Sequence, residues 1–174
     1  MNHLDEVMIT DGHPFRFVTL ATIDKTGKPQ QRMVVLRGVH HRKEFVIFTD
    51  KRSDKVDHIS RNPAVSLLFY DIPSRLQLRV TGYASVITQG DEHARSWNKR
   101  GSKNPFSYTS VIAPGSVIEH PKVAYNWSEA DSSNFCLVKI EATYMEFLQL
   151  DGLNHIRAEK NIKGDSETLN WLAP

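Results

Sequence analysis

Short segments rich in β-branched and aromatic residues, each ending in turn chemistry, recur along this chain and narrow its possible folds more than any other feature. Residues 15–23 (FRFVTLATI) alternate, with Phe17, Thr19, Ala21 and Ile23 on one face. Residues 24–29 (DKTGKP) form a turn cluster in which Gly27 is free to take positive φ. Residues 31–39 (QRMVVLRGV) predict the second strand of a hairpin, 40–43 a polar turn, and 44–49 (EFVIFT) a third strand. Residues 64–70 (AVSLLFY) and 75–88 predict two more, the second with a bulge at Gly82. Residues 134–140 and 143–150 predict two further strands, and 155–158 a short last one. Helical spacing occurs in two places. In 53–61 (SDKVDHISR), Val56 and Ile59 stand three apart behind a candidate N-cap, Ser53, with Asp54 and Asp57 where the helix dipole favours acids. In 89–100, Ala94 and Trp97 stand three apart. Pro105, Pro114, Gly115 and Pro121 make residues 101–127 loop-rich. Many short strands with few helices predict a mainly β fold, a β-barrel with helical additions, in a single domain over residues 1–174 with 1–14 as an N-terminal extension.

Composition removes several functions. The 174 residues suffice for one core. Lys+Arg is 22 and Asp+Glu 20, and the net +2 is too small for a dedicated nucleic-acid binder. The single cysteine, Cys136, excludes an intrachain disulfide framework and a multi-Cys zinc site; within FCLV it reads as a small buried hydrophobe. The eight histidines are scattered, with His40-His41 on a turn, so no metal site is expected. No apolar run approaches the ~20 residues of a membrane helix. The acidic start, Met1 to Glu6, is unlike a signal peptide, so a cytoplasmic protein without membrane contact is expected. The nucleophile-elbow, zinc-protease, Walker and dinucleotide-binding motifs are missing.

The charge is unevenly spread. Residues 32–61 hold eight basic residues against four acidic ones. Within them, 49–55 (TDKRSDK) join the end of a predicted strand to the start of a helix, where free N–H groups and the positive end of the dipole converge. Ser53 adds a hydroxyl, and Arg52 and Lys55 add charges. A phosphate cradle and a capped helix on a solvated basic face both fit these residues. Arg32 and Arg37 are five apart on one strand and point to opposite faces if it is regular; either a bulge intervenes or they serve different groups. Met33 to Leu36 between them suit the edge of a flat aromatic ligand.

Taken in order, Arg32-Met-Val-Val-Leu-Arg37, Phe48-Thr49, Arg52-Ser53-Asp54-Lys55, Asn62-Pro63 through Tyr70, and Leu76-Gln77 through Gly82 resemble the pyridoxine/pyridoxamine 5′-phosphate oxidases and the wider FMN-binding split-barrel flavoproteins. The closing Trp171-Leu172-Ala173-Pro174 is also similar. The resemblance implies a six-stranded antiparallel FMN-binding split barrel of Greek-key type, with FMN at a homodimer interface. It assigns Arg32 and Lys55 to the FMN phosphate, with Ser53 and Arg52 assisting. It runs the backbone of Met33, Val34, Val35 and Leu36 along the ring, sets Phe48 and Thr49 against the flavin, and brings Gln77 from the other subunit. Arg37 stands where the oxidase binds its substrate's phosphate with a lysine, and Arg100, His155 and Arg157 join it as candidates for binding substrate. The chain departs from the family pattern at Asp54, where a basic residue is usual, and at Pro114-Gly115, in place of a Gln-Ser pair. It departs again at Phe135, in place of a tryptophan, and at His155-Ile156-Arg157, which reverses an Arg-x-His order. The expected function is an FMN-binding oxidoreductase acting on a small anionic substrate, with its catalytic residues unassigned. The alternatives are the oxidase proper and a flavin-binding protein without turnover.

Overall fold

The first three strands are β1 (Phe17–Ile23), β2 (Pro29–His40) and β3 (Glu44–Asp50). They form an antiparallel meander in which β1 pairs β2 and β2 pairs β3. The structure, a computed structural model, describes residues 4, 12–101, 105–129, 131–164 and 166–174; most of the expected N-terminal extension lies outside the described residues. Helix α1 (Asp54–Arg61) then carries the chain across to β4 (Ala64–Asp71), which returns beside β1. This is the Greek-key order. Next come β5 (Leu76–Ile87), α2 (Asp91–Ser96) and β6 (Phe135–Gln149). Pairing of β6 with β3 closes an antiparallel barrel of six strands, β3-β2-β1-β4-β5-β6. The remaining strands, β7 (Ile156–Lys163) and β8 (Ser166–Leu172), extend the sheet from the second half of β6. One edge of β6 thus serves β3 over Phe135–Glu141 and β7 over Tyr144–Gln149.

Alternation fills the barrel. Val18, Leu20, Leu36, Phe45, Ile47, Leu67, Phe69, Leu78 and Val80 are all buried in one core cluster. A second, smaller cluster lies outside the barrel wall. There Val46, Phe48, Leu137 and Phe135 meet Trp97 and Tyr108 from the segment between β5 and β6. The Phe135 ring lies 5.0 Å from Phe48, 5.1 Å from Tyr108 and 5.4 Å from Trp97, centroid to centroid. This cluster explains why β3 and the start of β6 are apolar on both faces.

Several expectations change. The first strand starts at Phe17, after a 3₁₀ turn at Pro14–Arg16. Its buried face is Val18, Leu20 and Thr22, so Phe17, Thr19, Ala21 and Ile23 face outward. The two strands expected over 134–150 are one strand. The bulge expected at Gly82 lies across from it: Thr81 pairs Tyr144 and Gly82 pairs Ala142, so the extra residue is Thr143 of β6, which bulges without ending the strand, while a Cβ at Gly82 would run into the Glu141 carbonyl. The expected short last strand is the hairpin β7–β8, which the sequence hid because only Ala158 and Ile162 of its residues are buried. The second helix shortens to Asp91–Ser96 and continues as a π turn, Trp97–Gly101.

Candidate functional site

Three elements converge at the junction of β3 and α1. Thr49 ends β3, Ser53 precedes the helix, and Lys55 reaches back, its Nζ donating to Thr49 Oγ1 at 2.9 Å and Ser53 Oγ at 3.0 Å. Ser53 stands at the N-cap position without capping. Its hydroxyl proton goes to the Asp50 carbonyl at 2.7 Å, which leaves the first-turn amides without a side-chain cap. Arg32 comes from β2, its Nη1 donating to Thr22 Oγ1 at 2.7 Å and to the carbonyls of Gln30 and Leu20 at 3.1 and 3.3 Å. Thr22 in turn bonds His58 Nδ1 on α1 at 3.0 Å. Thr22 and His58 therefore position the arginine. The sequence reading singled out neither: Thr22 lies on the opposite phase of β1 from the face named there, and nothing in the sequence pointed to His58.

Two cations dominate the electrostatics of this cluster. Burial pushes the Lys55 ammonium below its ordinary value, and the Arg32 charge pushes it further. Burial likewise lowers Arg32, partly offset by Asp54. Among the described residues, neither cation is in ion-pair contact with a carboxylate. Two neighbouring, partly buried cations with hydroxyls beside them and a helix start at hand form a donor set suited to a phosphate.

Arg52 has a different task. It grips Asp50, Nη2 to Oδ2 at 2.7 Å and Nε to Oδ1 at 3.0 Å. It also donates to the carbonyls of Ser110 at 2.7 Å and Val111 at 3.2 Å. Most of its donors are committed, and they tie the loop after Tyr108 to the β3–α1 junction.

The bulge between Leu36 and Gly38 separates the two arginines of β2. Arg32 turns toward Thr22, while Arg37 lines an outer cleft of about 310 Å³ with His40, Phe48, Glu92, Ser96 and Lys99. Burial raises the Tyr108 phenol and outweighs the opposing effect of the Arg37 charge. Of the stretch expected along a flat ligand, Leu36 is buried inside the barrel, whereas Met33 is 60% exposed on the outer wall. Val34 pairs with Val18, and Val35 pairs with Phe17. Phe135 is fully enclosed in the outer aromatic cluster.

The other candidates do not join this group within one chain. Gln77 lies on β5, three strand spacings or about 14 Å from β2. Arg157 pairs with Leu148, nine residues or about 30 Å along β6 from Lys139, the partner of Val46. Its guanidinium binds Glu146 at 3.1 Å, and Glu146 also holds Arg79 at 2.6 Å. His155 accepts from the Asp151 amide at 3.1 Å. The Arg100 side chain lies outside the described residues. Among the described residues no group of three metal-binding side chains assembles, and no helix is long and apolar enough to cross a membrane.

A Greek-key split barrel with a cationic junction after its third strand defines the class of protein. A family model described as pyridoxamine 5′-phosphate oxidase matches residues 13–149, and the chain belongs to that family. A pyridoxine/pyridoxamine 5′-phosphate oxidase of Burkholderia thailandensis is 40% identical over 72 residues, 41% of this chain and 33% of that protein. One from Ralstonia pickettii is 32% identical over 132 residues, 74% of this chain and 62% of that protein. The chain thus matches less than two thirds of the length of these relatives. Among solved structures, a pyridoxamine 5′-phosphate oxidase-related, FMN binding protein from Nostoc punctiforme superposes with a TM-score of 0.78. It is 22% identical, with 99% of this chain and 94% of that one covered. PhzG from Burkholderia lata, solved with tetrahydrophenazine-1-carboxylic acid, gives 0.76 at 18% identity, covering 92% and 83%. At these identities the two structures establish the fold.

Proposed function

We propose that this chain binds FMN and works as an oxidoreductase on a small anionic substrate. The carrying observation is the Arg32–Lys55 pair, two partly buried cations with no carboxylate in ion-pair contact, set beside the Ser53 and Thr49 hydroxyls at a helix start. These residues would hold the phosphate. Met33 and Val35, outward on β2, offer an apolar edge to the flavin ring. When bound, the flavin supplies hydride acceptance. In the outer cleft, Arg37 and Lys99 would orient an anionic substrate.

The site is completed in this reading by a second copy of the chain. Gln77 and Arg157 are too far from the cradle and cleft to act there within one protomer. Moreover, Phe17, Met33, Leu68 and Tyr70 leave an exposed apolar band on the outer wall of β1, β2 and β4. A homodimer pairing this band would bury it and bring β5 and β7 of one copy toward β2 of the other.

Titrating the purified protein with FMN and following the bound-flavin spectrum tests the reading. Saturable binding and bleaching by NAD(P)H or a candidate substrate support it. A protein that takes up no FMN refutes it, and one whose flavin no reductant or substrate bleaches is a binder without turnover. Formation of pyridoxal phosphate from pyridoxamine phosphate and oxygen would make it the oxidase proper.

A further inference from the structure

The cradle contains an acid with which its cations form no ion-pair contact. Asp54 is the first residue of α1, between Ser53 and Lys55, and its charge acts on both Arg32 and Lys55. The other nearby carboxylate, Asp50, is occupied by Arg52. Among the described residues no cation makes ion-pair contact with Asp54. Its position is bounded by the loop that Arg52 ties down. Gly115, at φ +87°, lies against the carboxylate, and a Cβ there would stand 3.4 Å from Oδ2 and 3.8 Å from Oδ1. That positive φ suits glycine and lets the loop tip come this close.

We infer that Asp54 sets the selectivity of the cradle. It acts as a built-in counter-charge for Arg32 and Lys55, so a phosphate arriving there replaces part of an interaction that already exists and meets a like charge at the rim. The consequence is a preference for flavin monophosphate over unphosphorylated flavin that is smaller, by about tenfold, than the two cations alone would give. This inference rests on the FMN reading above. Asp54 is exposed, so water and salt screen it, and its effect on a phosphate is about tenfold rather than the thousands a buried like charge would impose.

Asp54→Asn removes the charge and keeps the shape. Dissociation constants for FMN and for riboflavin, measured by flavin fluorescence at fixed ionic strength, provide the readout. FMN should tighten about tenfold, riboflavin should move less than about twofold, and the gain should shrink in high salt. FMN affinity that is unchanged or weaker overturns the inference alone, as does equal tightening of both flavins, which would place the effect in loop packing. A wild-type protein that binds neither flavin overturns the FMN reading and this inference with it.

Discussion

Lys55→Met separates ligand binding from folding at this site. In the folded protein the ammonium is partly buried, donates to two neutral hydroxyls and faces the Arg32 charge. Methionine forfeits two hydrogen bonds worth about 1 kcal/mol each, but it also removes the desolvation and the like-charge repulsion. Ligand-free stability should therefore stay within about 1 kcal/mol of wild type. Toward FMN the balance differs, because the phosphate loses a charge-assisted bond worth about 1.5–3 kcal/mol, or about 10- to 150-fold in Kd. Riboflavin affinity should not change. The pH dependence gives an independent check. Lys55 titrates below 10.5 in the folded chain, so the unfolded chain binds this proton more tightly. Its contribution to wild-type stability should rise as pH rises through the window between the lowered folded value and 10.5, and the variant should lack that slope. Urea denaturation across that window and flavin titrations supply both readouts. Equal weakening of both flavins, or a loss of more than about 2 kcal/mol of ligand-free stability, would show that Lys55 is part of the scaffold and not of a phosphate site.

Gly82→Ala should destabilise the barrel by about 1–3 kcal/mol or more in chemical denaturation, because the new methyl meets the Glu141 backbone and not a movable side chain. Glu146→Gln should flatten the acid limb of stability. Burial alone would raise this carboxyl, but Arg157, Tyr144 and Arg79 outweigh it and hold it below 4.5. Its contribution is therefore present above 4.5 and lost as pH falls through the folded value, and urea titrations between pH 3 and 5 on both proteins read the difference. Met33→Asp, in the exposed apolar band, should convert a dimer to a monomer in sedimentation and weaken FMN in parallel; an unchanged dimer would move the interface elsewhere.

The barrel was legible where a strand buries one face, as β1, β4 and β5 do, because a period of two in the sequence is then a statement about burial. It failed where burial gave no contrast. Residues 156–172 form two strands that bury only Ala158 and Ile162, and polar hairpins of that kind read as loop. Residues 134–150 failed for the opposite reason. A bulge at Thr143 shifts the alternation within the strand without ending it, and in the sequence that shift reads as a break between two strands.

The cradle shows the same limit on a smaller scale. Residues 49–55 announced a strand-to-helix junction, since that is a local fact about consecutive residues. Whether the junction was an anion site or a capped helix depended on groups brought in from elsewhere. Arg32 arrives through the β1–β2 pairing, which also sets Thr22 under its guanidinium. Gly115 arrives through the loop that Arg52 holds by its backbone carbonyls, and carbonyls have no sequence signature. Ser53 settles the choice at the level of one proton. A hydroxyl that donates to Asp50 and accepts from Lys55 is not capping the helix, so no side chain of the N-cap competes with an anion for the first-turn amides, of which that of Val56 is taken by the Ser53 carbonyl. The residue that looked most like a cap thus works against the capped-helix reading, and the hydrogen-bond pattern around it favours the phosphate cradle.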